Sequence, residues 1–509
     1  GETVQLHASA EDVDGWIEAI EWIQVAGPEV NMENADTLAP SFVAPPVAEP
    51  TEVLFVLRVT DNYMQSTSVS VVISIGALSY EPVNVIVDEY FSCAVFQNGQ
   101  SKCWGINGAG QGGQGTTFAN VGIEGQAPIS ESTLNQMDAI DLGVNELVEH
   151  IATGPTHLCA IVSSGLKCWG NNVKGQLGLG NTTAYGRSTG TMGENLPFVD
   201  LGSGLTPVDV VVGTKHSCVL LNNGQVKCWG SNANGQLGYG EDVEELGDED
   251  NEMGDALPYL DFDGAVVEAL SAGYRHTCAL LSDKSVWCWG ENTGGQLGQG
   301  HTNHVYTPQV VPLGGEDVVS LASGNEHNCA LLNNGQVKCW GEGSFGRLGY
   351  GNTEDLGDGP DEMGDALPVL NFGQSVVTLV SGGRNNCVML LDNSLKCWGD
   401  NYWGQLGQES EENFGDNENE VETMSAINLG TDRYAVSVDI SYDHGCAILD
   451  NGTVKCWGFG DNGQLGFGDL ESLCGIENDM FHHRCGNAEG EMGDNLPALD
   501  FGFVWAHLD

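Results

Sequence analysis

The tripeptide Cys-Trp-Gly occurs seven times in this chain, with its tryptophan at positions 104, 169, 229, 289, 340, 398 and 457. A motif that returns every 51 to 65 residues demands a repeated structural unit, and nothing else in the sequence restricts the fold as much. A glycine-rich element follows each tripeptide. It reads Gly-Gln-Leu-Gly at 175–178, 235–238, 295–298, 404–407 and 463–466, with departures at Gly110-Gln-Gly-Gly113 and Gly346-Arg-Leu-Gly349. Ahead of the tripeptide come an apolar run, such as Val208-Asp-Val-Val-Val212, and then Gly-x-x-His-x-Cys.

The 16 cysteines form eight close pairs: Cys93/Cys103, Cys159/Cys168, Cys218/Cys228, Cys278/Cys288, Cys329/Cys339, Cys387/Cys397, Cys446/Cys456 and Cys474/Cys485. In Cys218-Val-Leu-Leu-Asn-Asn-Gly-Gln-Val-Lys-Cys228 the centre is an Asn-Gly hairpin signal, so the two cysteines face each other across antiparallel strands. Disulfides are expected, and with them an oxidising, extracellular or cell-surface location. Zinc is the alternative for paired cysteines, but it wants Cys-x-x-Cys knuckles or added histidines. Cys474 and Cys485 have His482 and His483 between them, so that pair reads as an eighth disulfide or as a zinc site.

Each unit offers about four short strands, the last resembling Leu196-Pro-Phe-Val-Asp-Leu201. Four-stranded units repeated radially are propeller blades, and seven of them close a ring. The fold class is therefore all-β: a seven-bladed β-propeller over residues 83–509, with a small N-terminal β-sandwich over 1–76 and a linker at 77–82.

The full pattern, Gly-x-x-His-x-Cys-Ala-Leu through Cys-Trp-Gly-x-Asn-x-x-Gly-Gln-Leu-Gly, resembles the repeat of the regulator of chromosome condensation, in a secreted, disulfide-bearing bacterial form. The resemblance implies a seven-bladed propeller. It does not carry the nuclear activity of the eukaryotic prototype, because this chain lacks a basic arm. The run Asp12-Val-Asp-Gly15, Trp22, Phe42-Val-Ala-Pro45 and Val59-Thr-Asp-Asn62 resembles the polycystic-kidney-disease-type, immunoglobulin-like domains, which implies a spacer or adhesive module. Strands are expected at 4–8, 17–24, 54–59 and 68–74. An export signal is expected upstream of Gly1.

Sixteen basic residues against 71 acidic ones leave a formal charge of −55. Such a chain repels phosphate backbones and anionic membranes, so nucleic acid is excluded as a partner. No stretch nears 18 consecutive apolar residues, so no direct membrane insertion is expected. Adaptation to saline water and specific cation sites both account for the charge.

Calcium is the candidate cofactor, since clustered carboxylates at glycine-permitted turns suit a hard cation. The candidate ligands are Asp248, Asp250, Glu252 and Asp255 in the third unit, Asp358, Asp361, Glu362 and Asp365 in the fifth, and Glu491 and Asp494 in the seventh. Asp12, Asp14 and Asp61 are the candidates in the leading domain. The plain alternative is a solvated acidic loop whose Met and Leu pack on the blade. His157, His216, His276, His327 and His444 share one repeat position, filled by Phe91 and Asn385 in the other two units; on separate blades they read as structural groups bonded to nearby backbone. Tyr402-Trp403 is the one aromatic pair in a loop that is elsewhere small and polar, and is the candidate binding element.

No nucleophile elbow, phosphate loop or zinc-protease helix is present, so no enzyme is expected. The expected function is a secreted or cell-surface structural or adhesive protein whose acidic propeller makes protein–protein contacts, with self-assembly among them. The alternative is an extracellular binding or inhibitory module for a secreted protein or a glycan.

Overall fold

The structure, a computed structural model, describes residues 3–12, 15–43, 51–75, 80–115, 134, 137–467 and 483–501. The chain divides into two compact units, Gly1–Tyr80 and Glu81–Asp509.

The first unit has two three-stranded sheets. One orders Thr3–Gln5, Ser41–Val43 and Met32–Glu33; the other orders Ile17–Ala26, Thr51–Asp61 and Ser66–Ile75. Alternation along Val53-Leu-Phe-Val-Leu57 sends Val53, Phe55 and Leu57 inward to meet Leu6, Trp22 and Phe42. The Trp22 indole stays satisfied by donating to the Thr37 carbonyl at 3.0 Å.

The second unit holds seven further sheets, one per repeat. In blade three the strands are Pro207–Val212, His216–Leu221, Val226–Ser231 and Glu245–Leu246. Val212 faces Ser217, and His216 faces Gly230. The first-to-second-strand loop and the segment after the third strand therefore lie at one end of the blade, called here the loop end. The tight Asn-Gly turns lie at the other.

The hairpin register brings the expected cysteines face to face. Cys93 is bridged to Cys103, Cys159 to Cys168, Cys218 to Cys228 and Cys278 to Cys288. Cys329 is likewise bridged to Cys339, Cys387 to Cys397 and Cys446 to Cys456. In all seven the Cα atoms lie 4.0 to 4.1 Å apart. The pair Cys159–Cys168 spans 9 residues where the others span 10, yet its two cysteines still face each other directly, because the Ser163-Ser164-Gly165 turn is one residue shorter. Cys485 is also disulfide-bonded; Cys474 and His482 lie outside the described residues.

The fourth strand differs from expectation. The Leu-Pro run does not form it: Pro lacks the donor a ladder needs, and the run makes one bond, such as Val199 N–H to the Leu166 carbonyl at 2.8 Å. The outer edge is instead the segment before it. It is a strand in blades three, four and seven and a single bridge in three others, as at Gly170 with Tyr185.

Neighbouring blades are joined by a repeated contact. Each Cys-Trp-Gly tryptophan is buried and donates its Nε1–H to a carbonyl of the preceding blade, that of the second residue in the glycine-rich element, as Trp229 does to Gln176 at 3.0 Å. The ring closes when Trp104 of blade one donates to Gln464 of blade seven at 2.8 Å. Six lysines just before the disulfide cysteines (Lys102, Lys167, Lys227, Lys338, Lys396, Lys455) are buried, each donating to two backbone carbonyls.

All 14 cysteines of the seven described pairs are fully buried. A thiol reagent added to the native protein is therefore expected to leave them oxidised until denaturant opens the blades, as read by mass after alkylation. Losing one pair, as in Cys218→Ala/Cys228→Ala, is expected to cost about 2–3 kcal/mol for a loop this short.

Candidate functional site

The repeated histidines are structural, but their partner is not the nearby backbone. His157 and His216 meet the hydroxyls of Ser217 and Thr277 on the next blade at 2.9 Å. His276 and His327 meet the amide oxygens of Asn328 and Asn386 at 3.1 and 2.8 Å. Each of those partners donates its own hydrogen to the glycine-loop carbonyl, so the histidine Nε2 must be the donor. The Nδ1 atoms of these four are buried without a partner. Protonating Nδ1 would place a charge where nothing compensates it, and burial pulls the four down to about 3, 3, 4 and 3. The glycine three residues earlier leaves room for the ring: a Cβ on Gly213 would collide with His216 Cε1.

The acidic inserts are organised by backbone amides. One Glu252 oxygen accepts from Gly247, Asp248 and Glu249 at 2.8 to 3.1 Å. Glu362 does the same for Gly357 and Gly359, and Glu491 for Gly486, Asn487 and Ala488. Asp255 and Asp494 clamp the preceding blade's loop, accepting from Ser203 and Thr431 through both backbone and hydroxyl, and these bonds lower their pKa values. Burial raises Asp248 and Asp358, while Asp250, Asp361 and Asp365 are exposed. Asp61 accepts from Tyr63 and Gln65 within its own turn. Asp12 and Asn62 instead close on Gly15, where any Cβ would meet their side-chain oxygens, and Asp14 lies outside the described residues. Among the described residues no three carboxylate, histidine or cysteine groups gather to hold a metal. In each insert one glutamate oxygen collects two or three backbone N–H groups, and the loop is built around it.

Tyr402 and Trp403 sit at the loop end of blade six. Tyr402 is 57% exposed and its ring is 4.7 Å from that of Trp403. Trp403 in turn packs on Phe459 of blade seven at 4.5 Å. The Arg484 guanidinium lies over both rings, 5.1 Å from Tyr402 and 4.7 Å from Trp403, and binds Glu411 at 2.8 Å.

A second cluster escaped the sequence reading, although its signal was there in Gly346-Arg-Leu-Gly349. In the other six loops the glutamine side chain accepts the N–H of the residue two positions earlier, as Gln405 does from Trp403 at 2.8 Å. Arg347 has no acceptor to offer. Phe345 turns instead into the left-handed region, φ +62°, which is strained for an aromatic residue. Arg347 is buried and paired with Glu342, with Glu326 at 3.9 Å. Arg384 of blade six lies over Phe345 and over Tyr442 of blade seven, 4.7 Å from each ring centre. Burial, and then the neighbouring Glu342, push Glu326 up to about 7. Burial, and then Asp443, push Glu89 of blade one up to about 7 as well.

Of these side chains Glu89 and Tyr442 also line an axial cavity of about 330 Å³, walled by the first strands of all seven blades. Its wall mixes apolar and polar groups, with Asp88, Glu89, His150 and Asp439 the carboxylates and the imidazole among its described lining. Burial pushes Asp439 up to about 7 although two N–H groups, Val87 and Ile440, bond it. The loop end thus concentrates arginine–aromatic stacks beside carboxylates that burial favours in the neutral form.

The model of the RCC1-like domain matches residues 59–412, that of the regulator of chromosome condensation (RCC1) repeat matches 435–464, and that of a PKD domain matches 1–75. The ultraviolet-B receptor UVR8 of Arabidopsis thaliana is 28% identical over 66% of this chain and 69% of its own length. The E3 ubiquitin-protein ligase HERC2 of Homo sapiens is 28% identical over 64% of this chain, which spans 6% of HERC2. Among solved structures, human WBSCR16 gives a TM-score of 0.55 at 20% identity, covering 77% of this chain and 95% of its own. Yeast RCC1 (Prp20) bound to Kap60 gives 0.54 at 19%, covering 83% and 85%. At these identities the structural likeness speaks for the fold alone.

Proposed function

Because the chain belongs to the RCC1-like family of repeat propellers, we propose that it is a non-enzymatic protein-binding disc, secreted or held at the cell surface as a structural or adhesive component. Its docking surface is the loop end of blades five to seven. One observation carries this reading: arginine, tryptophan and tyrosine, the residues that dominate binding energy at protein contacts, are stacked there and partly exposed. The fold is suited to it, since yeast Prp20, which shares it, has been solved bound to Kap60. The oxidised cysteine pairs support an extracellular setting, and the −55 charge keeps the disc soluble in salt.

The first partner to test is a second copy. Mass by light scattering over a concentration series, with millimolar calcium and then with chelator, is expected to rise with concentration in the wild type and to stay monomeric in Tyr402→Ala/Trp403→Ala. A wild type that is monomeric throughout removes self-assembly and leaves the binding-module reading, toward a secreted protein or a glycan. Association that the double variant retains would place the contact elsewhere and overturn this docking surface.

A further inference from the structure

The chain has seven arginines, and six of them donate a hydrogen bond: Arg58 to Glu21, Arg187 to Gly108, Arg275 to Glu291, Arg347 to Ser344, Arg433 to Asp450 and Arg484 to Glu411. Arg384 is the exception. Among the described residues its guanidinium donates none, though it is two-thirds covered and lies 4.7 Å from the ring centres of both Phe345 and Tyr442. Asp400 is the nearest carboxylate, at 3.5 Å, outside good hydrogen-bond reach, and it already accepts from the Tyr402 N–H at 3.2 Å. Fixing a long side chain between two rings costs rotamer freedom, and here the two ring contacts and the ion pair with Asp400 offset it without any hydrogen bond from the guanidinium to the protein. What the arrangement does provide is a planar fork of N–H groups held in place by the rings.

A fork of that shape matches two oxygens in one plane, and carboxylate is the side-chain group that supplies them. We propose that Arg384 is the receiving residue for a carboxylate of an acidic peptide segment on the protein partner, a step that rests on the loop end being the docking surface. The net charge does not forbid it. Charges beyond about 8 Å are largely screened at physiological salt, so the neighbours decide. Around Arg384 they are Arg347, Glu342 and Glu326 from blade five, Asp400 from blade six, Asp443 from blade seven and Glu89 from blade one. Glu89 and Glu326 hold their protons up to about pH 7, and burial also favours the neutral form of Asp443, so the two arginines face chiefly Glu342 and Asp400. Acidification protonates Glu89 and Glu326 further and lessens repulsion of an incoming carboxylate, whose own ordinary pKa of about 4 keeps it ionised.

The test is calorimetric titration of the full chain with acetylated tetraglutamate amide, with tetraglutamine and tetralysine as comparison peptides and inorganic phosphate as competitor. Tetraglutamate is expected to bind, more tightly near pH 6 than near pH 8. Arg384→Met is expected to weaken it about tenfold or more, the loss of a charge-assisted hydrogen bond, and Arg384→Lys to restore little because it lacks the fork. Arg433→Met, at the hairpin end, is expected to change nothing. Tighter binding of tetralysine, or of phosphate over tetraglutamate, overturns the assignment. If Arg384→Met binds as the wild type does while Tyr402→Ala/Trp403→Ala loses self-association, the inference fails and the docking surface stands. If neither variant changes either readout, both fail.

Discussion

Exchanging His157, His216, His276 and His327 for asparagine is expected to make the propeller more resistant to acid, by about 1.4 kcal/mol per pH unit and per site between pH 6.5 and the folded pKa values. In the folded protein these imidazoles are held down to about 3, 3, 4 and 3, against 6.5 when unfolded. A base whose pKa is lowered by folding contributes fully above its unfolded value. That contribution is lost as pH falls toward the folded value, because only the unfolded chain takes up the proton. Asparagine is a fair replacement, since the protein already uses one at this position: Asn385 donates to the Ser441 carbonyl on the next blade at 2.7 Å. The exchange has a constant packing cost. The quantity that decides is therefore the change with pH in the difference from wild type, read from urea midpoints. A difference that stays flat from pH 7 to pH 4 would mean the rings are already charged in the fold.

The wild-type profile itself is expected to hide this dependence over part of its range. Where blade seven meets blade one, burial raises Asp439 and Glu89 to about 7, and raises Asp88 and Asp443 too. For these acids the sign is reversed: folding favours the proton, so stability rises as pH falls from about 7 toward the unfolded values near 4. The two sets oppose each other between about pH 7 and pH 4, which flattens the profile there. Below about pH 4 the carboxylates have nothing further to give, and the histidine loss runs unopposed. The same reasoning predicts that Asp439→Asn gains on wild type at pH 8 relative to pH 5.

The blades and their bridges were legible because both follow from short windows. Asn-Gly between two valine-rich runs sets a hairpin, and the hairpin sets which cysteines face. Three features were not legible, each for a physical reason. Lys227 is written like any surface lysine, and only the curvature of the neighbouring segment places the Leu201 and Gly254 carbonyls over its ammonium. Glu252 reads as one more charge in an acidic loop, because nothing in the composition says that three N–H groups turn toward it. Arg384 shares its repeat position with Arg275 and Lys215. What sets it apart is Phe345, 39 residues earlier, and Tyr442, 58 residues later, meeting around it from the blades on either side. No local pattern contains all three. The Gln-to-Arg departure at 347 was visible, but its consequence for Phe345 depends on a backbone N–H that loses its acceptor.

Trp104→Ala and Trp289→Ala are each expected to lower stability by about 3–5 kcal/mol, the range for emptying a buried tryptophan site. Both rings are buried, and each donates to a glycine-loop carbonyl, Gln464 at 2.8 Å and Gln236 at 3.0 Å. The two variants are nonetheless expected to differ in how they open. Blade four is joined to blade three through the chain, so a weakened contact there is held by its covalent connection. Blade one meets blade seven without such a connection. That seam is kept by Trp104, by Ser92 bridging His444 at 2.7 Å and Gln464 at 2.9 Å, by Lys102 on the Phe501 carbonyl at 2.9 Å, and by Val87 on Asp439 at 2.8 Å. These contacts use blade-one residues within two short strands and the run before them, so emptying the Trp104 site loosens them together. Native-state hydrogen exchange is expected to show a subglobal opening confined to blades one and seven in Trp104→Ala, at a free energy below global unfolding, with no counterpart at blades three and four in Trp289→Ala. Equal exchange patterns in the two variants would mean that the seam is no weaker than the contacts inside the ring, and that its carboxylates and its missing chain connection make no difference to how the propeller unfolds.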